Sequence, residues 1–219
     1  MDQPLIDAVT RRSVRDVQTA LDALDNPTAI VDVAGNNALH WAVIIGNYEI
    51  AELLIRSGKF NINAVNINNE TALLKAVTLY RYCAELGLNT DVYMNIAKLL
   101  LNTQGIKPEI ADFYGLTVLH LAIPGIYLNR RNTDISMLDM LLTMTNVNRR
   151  SVDGHDREPI HYAIRLGNVN AVDRLLRERD VDPTAQFNNG NGLKSPLEIA
   201  YDMRNRPIVL RLLQNVTVL

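Results

Sequence analysis

Apolar and polar positions fall along this chain in a six-residue box that returns six times. It reads Gln3-Pro4-Leu5-Ile6-Asp7-Ala8, then Asn37-Ala38-Leu39-His40-Trp41-Ala42, then Thr71-Ala72-Leu73-Leu74-Lys75-Ala76. The later copies are Thr117-Val118-Leu119-His120-Leu121-Ala122, Glu158-Pro159-Ile160-His161-Tyr162-Ala163 and Ser195-Pro196-Leu197-Glu198-Ile199-Ala200. Ser, Thr or Asn at the first position accepts a hydrogen bond from the free N–H groups at a helix start. Proline at the second is tolerated there because its missing N–H would have had no partner. Gln3 and Glu158 cap less well, and their helices are expected to fray more. The third position is apolar in every copy and marks a core residue, and the alanine at the sixth lets neighbouring helices approach closely. A second apolar stripe follows each box. After Gly46 it is Ile50, Leu53 and Leu54, stopped by Gly58, and after Gly167 it is Val169, Val172, Leu175 and Leu176. The last is Ile208-Val209-Leu210-Arg211-Leu212-Leu213. Turn-rich stretches separate the units: Asp32 to Gly35, Asp112 to Gly115 and Asn189 to Gly192. The pattern predicts one helix pair per box, with little or no sheet.

The boxes begin at positions 3, 37, 71, 117, 158 and 195, with spacings of 34, 34, 46, 41 and 37. The box and its period resemble the ankyrin-repeat family, whose helix opens on T-P-L-H-x-A within a unit of about 33 residues. The fourth repeat carries the resemblance best, with Asp112, Gly115, Thr117, Leu119, His120 and Ala122 in register. The second is nearly as good and adds Gly46. The first and last units match poorly, as capping units do. The Asp-x-x-Gly turn ahead of the helix separates this pattern from tetratricopeptide repeats. The resemblance covers essentially the whole chain. It implies an all-α, ankyrin-type solenoid of about six stacked helix-turn-helix repeats with hairpin-like turns, filling residues 1–219 as a single domain.

Two units are longer than the family period, by about 13 and about 8 residues. The surpluses fall near residues 80–91 and 124–134, between the first and second helices, and are expected as surface loops. Both contain tyrosines, which are frequent interface anchors; neutral drift of a loop is the alternative reading. A smaller surplus, Phe187 to Lys194, is expected to be a plain connection.

Composition narrows the function classes. Hydrophobic residues make up 47% of the 219, charged residues 21%, and the net charge is −2. That balance argues against a general nucleic-acid or membrane binder. No stretch of about 18 apolar residues is present to span a bilayer. The N-terminus lacks the basic and apolar regions of a secretory signal, so a cytoplasmic protein is expected. The single cysteine, Cys83, has no partner for an internal disulfide.

Catalytic motifs are lacking: there is no phosphate loop, dinucleotide loop, HExxH or GxSxG. No catalytic residue, metal site or cofactor is expected. His40, His120 and His161 all hold the fourth box position, and the resemblance makes them structural links between repeats. It also turns the hairpin tips and first-helix ends toward a concave groove. There the second to fourth repeats place Val33, Ile44, Ile45, Ile67, Leu79, Tyr80, Phe113, Tyr114 and Leu116, an apolar set that points to a protein partner. A basic cluster lies further along, Arg130, Arg131, Arg149, Arg150, Arg157 and Arg165; of these Arg130, Arg131 and Arg157 are the candidates to touch an acidic partner. A solvated face balanced by Asp134, Asp153, Asp156 and Glu158 is the competing reading. The expectation is a non-enzymatic adaptor or inhibitor, monomeric on its own, gripping another protein through the groove of repeats two to four. The alternatives are a pathogen effector that binds a host protein, delivered into the host cytoplasm, and an enzyme built on the inserted loops around Cys83.

Overall fold

A computed structural model describes residues 4–24, 31–125, 134–144, 147–188 and 192–216. Gln3, Arg130, Arg131 and most of the 124–134 surplus lie outside the described residues, as does the C-terminal Thr217-Val218-Leu219. The described helices form six pairs, one per box. The first three are α1 (Pro4–Thr10) with α2 (Val14–Ala23), α3 (Ala38–Ile44) with α4 (Tyr48–Arg56), and α5 (Ala72–Leu86) with α6 (Asp91–Leu101). The others are α7 (Val118–Leu121) with α8 (Ser136–Leu142), α9 (Pro159–Arg165) with α10 (Val169–Leu175), and α11 (Pro196–Asp202) with α12 (Arg206–Val216).

The chain divides into two compact units, residues 1–83 with 89–113 and residues 84–88 with 114–219. In the first, α1 packs on α3, α2 on α4 and α4 on α6. In the second, α7 packs on α9, α9 on α11 and α10 on α12. The third box position lines the core as the pattern requires: Leu5, Leu39, Leu73, Leu119 and Ile160 are all buried.

Position nine after each box start decides where the first helix stops. Arg12, Gly46, Gly167 and Arg204 stand there, all left-handed, with φ between 53° and 67°. A left-handed residue ends a helix because the next N–H turns back to the last carbonyls. In the third repeat this position is Tyr80. The backbone stays helical through it, and α5 runs on to Leu86 before Gly87, at φ 69°, turns the chain. The 80–91 surplus is therefore mainly a longer helix, not the expected loop. Tyr80 is correspondingly 5% exposed and is not a surface anchor. In the fourth repeat α7 is four residues long. Pro124 has no N–H to give the His120 carbonyl, so the helix cannot pass it.

The expected plain connection before the last box is also corrected. β1 (Phe187–Asn188) pairs antiparallel with β2 (Leu193–Lys194). Phe187 is fully buried, its ring 4.2 Å from that of His161.

Candidate partner-binding surface

Three of the hairpin tips are built round one polar side chain that holds the turn from inside. Asp32 Oδ1 accepts from the backbone N–H groups of Ala34 and Asn36, both at 2.8 Å, and Oδ2 accepts from the Trp41 indole at 3.0 Å. Burial raises the Asp32 pKa, but the bonds from Asn36, Ala34 and Trp41 outweigh it and hold the carboxyl below its usual range. Asn66 plays the same part, accepting from Asn68 N at 2.9 Å and Glu70 N at 3.0 Å. Asp153 accepts from His155 N and Arg157 N at 2.8 and 3.0 Å, and from the Tyr162 hydroxyl at 2.6 Å. The polar groups point inward, so the residues at the crest point out.

Tips in the first unit are tied to one another. Ile67 N donates to Ala34 O at 3.1 Å, Phe113 N to Asn68 O at 2.8 Å, and Asn66 Nδ2 to Asn36 Oδ1 at 3.0 Å. Three successive crests therefore stand side by side, carrying Val33, Ile67 and Phe113. Val33 is fully exposed, Ile67 69% and Phe113 77%. Water contact for three large apolar side chains in a row is an unfavourable arrangement unless something covers them. Ile44, Ile45 and Leu79, at the helix ends of the same unit, are half-buried. In the second unit Tyr114 is 72% exposed, and its carbonyl accepts from Gly154 N at 3.1 Å. The tips approach so closely there that a Cβ on Gly115 would lie 2.5 Å from Gly154 N. Leu116 is half-buried.

The box histidines join each helix start to the next tip. The backbone N–H of Asn37, Thr117 and Glu158 donates to the Nδ1 of His40, His120 and His161, at 3.3, 3.2 and 2.9 Å. Each Nε2–H is then left to donate outward, to Glu70 O at 3.0 Å, Arg157 O at 2.9 Å and Ala185 O at 3.2 Å. This arrangement needs a neutral ring. Burial pulls the pKa of His40 down and takes that of His161 to about 4. The rings are structural links, as the family resemblance implied.

Among the described members of the basic cluster, Arg149, Arg150 and Arg157 are each paired with a carboxylate. Arg157 gives its guanidinium to Asp153 at 2.6 Å and stacks on the Tyr162 ring, 4.9 Å from its centre. Arg149 meets Glu178 at 2.8 Å and donates to Leu142 O at 2.9 Å. Arg150 pairs with Glu158 at 3.1 Å. Arg157 thus spends its charge inside its own repeat. Cys83 is half-buried, and burial raises its thiol pKa, which works against a thiolate nucleophile. Among the described residues no group of three or more His, Cys, Asp or Glu side chains is placed to hold a metal ion, and no helix is long and apolar enough to cross a membrane.

The sequence profile of the family described as Ankyrin repeat matches residues 34–67 and 155–188. These stretches hold the second and fifth helix pairs, α3 with α4 and α9 with α10. The chain is an ankyrin-repeat protein. This ankyrin-repeat chain is 30% identical over 154 residues, 68% of its length, to the nuclear factor NF-kappa-B p100 subunit of Xenopus laevis, and spans 14% of that relative. It is 28% identical over 147 residues to the ANK repeat-containing protein nipk-1 of Caenorhabditis elegans, spanning 23% of it. Its fold matches the crystal structure of the ankyrin repeat domain of Bcl-3 with a TM-score of 0.78 at 22% identity, over 98% of this chain and 86% of that one. Ankyrin-repeat domains are protein-interaction modules, and this chain is built as one.

The tips and core were readable from the box register. What sequence reasoning missed was the helical course of residues 80–86 and the burial of Phe187. Tyr80 in the place of a glycine was an available signal for the first. A single aromatic in an Asn-Gly stretch was a signal for the second.

Proposed function

We propose that the chain is a non-enzymatic binding module that seats a partner protein on the tips of its first unit. The observation that carries this reading is the row Val33, Ile67 and Phe113 on three crests joined by backbone hydrogen bonds. Side chains held on a rigid scaffold lose little entropy when covered, and aromatics such as Phe113 are enriched at interfaces. Ile44, Ile45 and Leu79 extend the apolar strip toward the helix ends.

The test places a photo-crosslinking amino acid at Ile67 in one sample of the full chain and at Gln18, exposed on α2, in another. The reading expects a discrete, saturable protein adduct from position 67 alone, competed by excess unmodified chain. Equal capture from both positions, or none from 67 under conditions where 18 reacts, removes the tips as the binding surface.

A further inference from the structure

The place four residues before each box start holds Val33, Ile67 and Phe113 in the second to fourth repeats and Gly154 in the fifth. The three apolar side chains all belong to the first unit and all are exposed. Glycine has no side chain to continue the row, which is therefore three crests long.

Few ionic side chains surround it. From Val31 to Asn47 there is Asp32 alone, and from Phe60 to Tyr80 there are Glu70 and Lys75. Asp32 is turned into its own tip, and Lys75 closes on Glu70 at 2.5 Å. In the tip of the fourth repeat Asp112 holds the place of Asp32. By contrast α4 alone carries Glu49, Glu52 and Arg56. Side-chain donors beside the crests are engaged within the tips as well. The amide of Asn36 donates to Asp32 at 3.1 Å, that of Asn66 to Asn36 and Glu70 at 3.0 and 2.9 Å, and that of Asn69 to Ala111 O at 2.6 Å. The row thus offers a partner apolar contact and little else. A segment covered by it has to satisfy its own backbone, because a buried N–H or C=O without a partner is costly. An α-helix does so, whereas a lone extended strand or a polyproline helix does not.

The spacing of the crests fits the same occupant. Ile67 N donates to Ala34 O and Phe113 N to Asn68 O, the same link each time, so the two steps along the row are alike. Helices packed as α4 is on α6 lie about 8–10 Å apart, and that sets the step. Seven residues of α-helix rise about 10.5 Å and return to nearly the same face. Residues on one face of a strand are about 6.8 or about 13.6 Å apart, and match the step less well.

We propose that the occupant of the crests is an α-helix lying across the three tips. It presents large apolar side chains at three positions seven residues apart, and no ionic side chain on that face. This rests on the reading that the crests seat a partner protein, and it names what that partner presents.

The probe is a displayed library of random peptides of about 20 residues, enough for two seven-residue steps with flanking turns. It is selected on the full chain and counter-selected on the chain carrying Ile67→Ser and Phe113→Ser. Ile67→Ser alone, at an exposed site, replaces that chain should it fail to fold. Enriched sequences are expected to place apolar residues at i, i+7 and i+14, with no proline between them. A selected peptide free of tryptophan is then titrated while the emission of Trp41, the one tryptophan of the chain, reports binding. Moving the middle apolar residue by two positions, or placing proline beside it, should weaken binding at least about tenfold. Raising NaCl from about 50 to about 500 mM should change the affinity less than about threefold, since no exposed charges are brought together. Enriched peptides with proline or with two-residue alternation, binding that survives the proline, or a larger loss with salt each overturns the helix as occupant. So does a library that yields nothing dependent on the crests. The crest reading stands or falls separately, on the crosslink from position 67.

Discussion

Asp153 shows how much of a repeat can rest on one side chain. It is completely enclosed and takes four hydrogen bonds of 3.0 Å or less, from two backbone N–H groups, the Arg157 Nε and the Tyr162 hydroxyl. Burial alone would raise its pKa; Arg157 and Tyr162 outweigh that and hold the carboxyl well below the usual range. Removing it strands a guanidinium and a hydroxyl, so Asp153→Ala should lower the unfolding free energy by about 3 kcal/mol. Arg165→Ala, an exposed site in the same repeat, should stay within about 0.5 kcal/mol in the same urea titration. His161 supplies a different signature. Its folded pKa of about 4 lies below the ordinary value of 6.5, so the unfolded chain binds the proton more readily. Its contribution is present above pH 6.5 and is lost as pH falls toward 4. The size is about 3 kcal/mol, from the separation of the two values. His161→Gln should flatten the stability curve between pH 6.5 and 4; an unchanged slope would assign that acid sensitivity to other groups.

At the level of helices, the position nine residues after each box start does more than any other to set lengths. Arg12 and Arg204 adopt there the left-handed conformation that glycine takes without strain. For Arg12 the side chain offers a return, since its guanidinium donates to Ile45 O at 2.6 Å, at the end of α3, where a positive charge is favoured. Arg204 has no such bond described, so Arg204→Gly should raise stability by up to about 1 kcal/mol by thermal melting, and Arg12→Gly should not. Core positions behave conventionally: Leu119→Ala, at a fully buried site, should lose roughly 2–5 kcal/mol. The box register made these core residues legible in the sequence, because a cap, an apolar third residue and an alanine recur together. Counting surplus residues as loop failed for α5, since length alone does not say whether a helix stops. The glycine that stops α3 and α9 is replaced by Tyr80, and nothing else in that stretch breaks a helix before Gly87. Phe187 was misjudged for a related reason: its neighbours are turn residues, while its own ring is needed to pack on His161.

For the molecule as a whole, repeat architecture separates stability from recognition. Each helix pair draws its stability from its immediate neighbours, so crest residues can be varied without disturbing the core. The exposed crests Val33, Ile67 and Phe113 add nothing to that core, yet they are the large apolar groups that polar residues would replace if the tips met only water. Composition alone did not reveal them, because 47% hydrophobic residues is ordinary for a folded chain; the register did, by assigning each to a tip. The histidine links make those tips stiff, with His40 Nε2 bonded to Glu70 O directly below the second crest. A stiff crest loses little entropy on binding, so truncating its anchors should be read almost wholly in affinity. Ile67→Ala combined with Phe113→Ala should weaken the partner identified by crosslinking by at least about 2 kcal/mol, the threshold of an interface hot spot, mainly through faster dissociation. The same variant should melt within a degree or two of the parent, since surface substitutions typically change stability by about 0.5 kcal/mol or less. Normal affinity in a variant that remains folded would remove these crests from the interface and leave their exposure without a functional explanation.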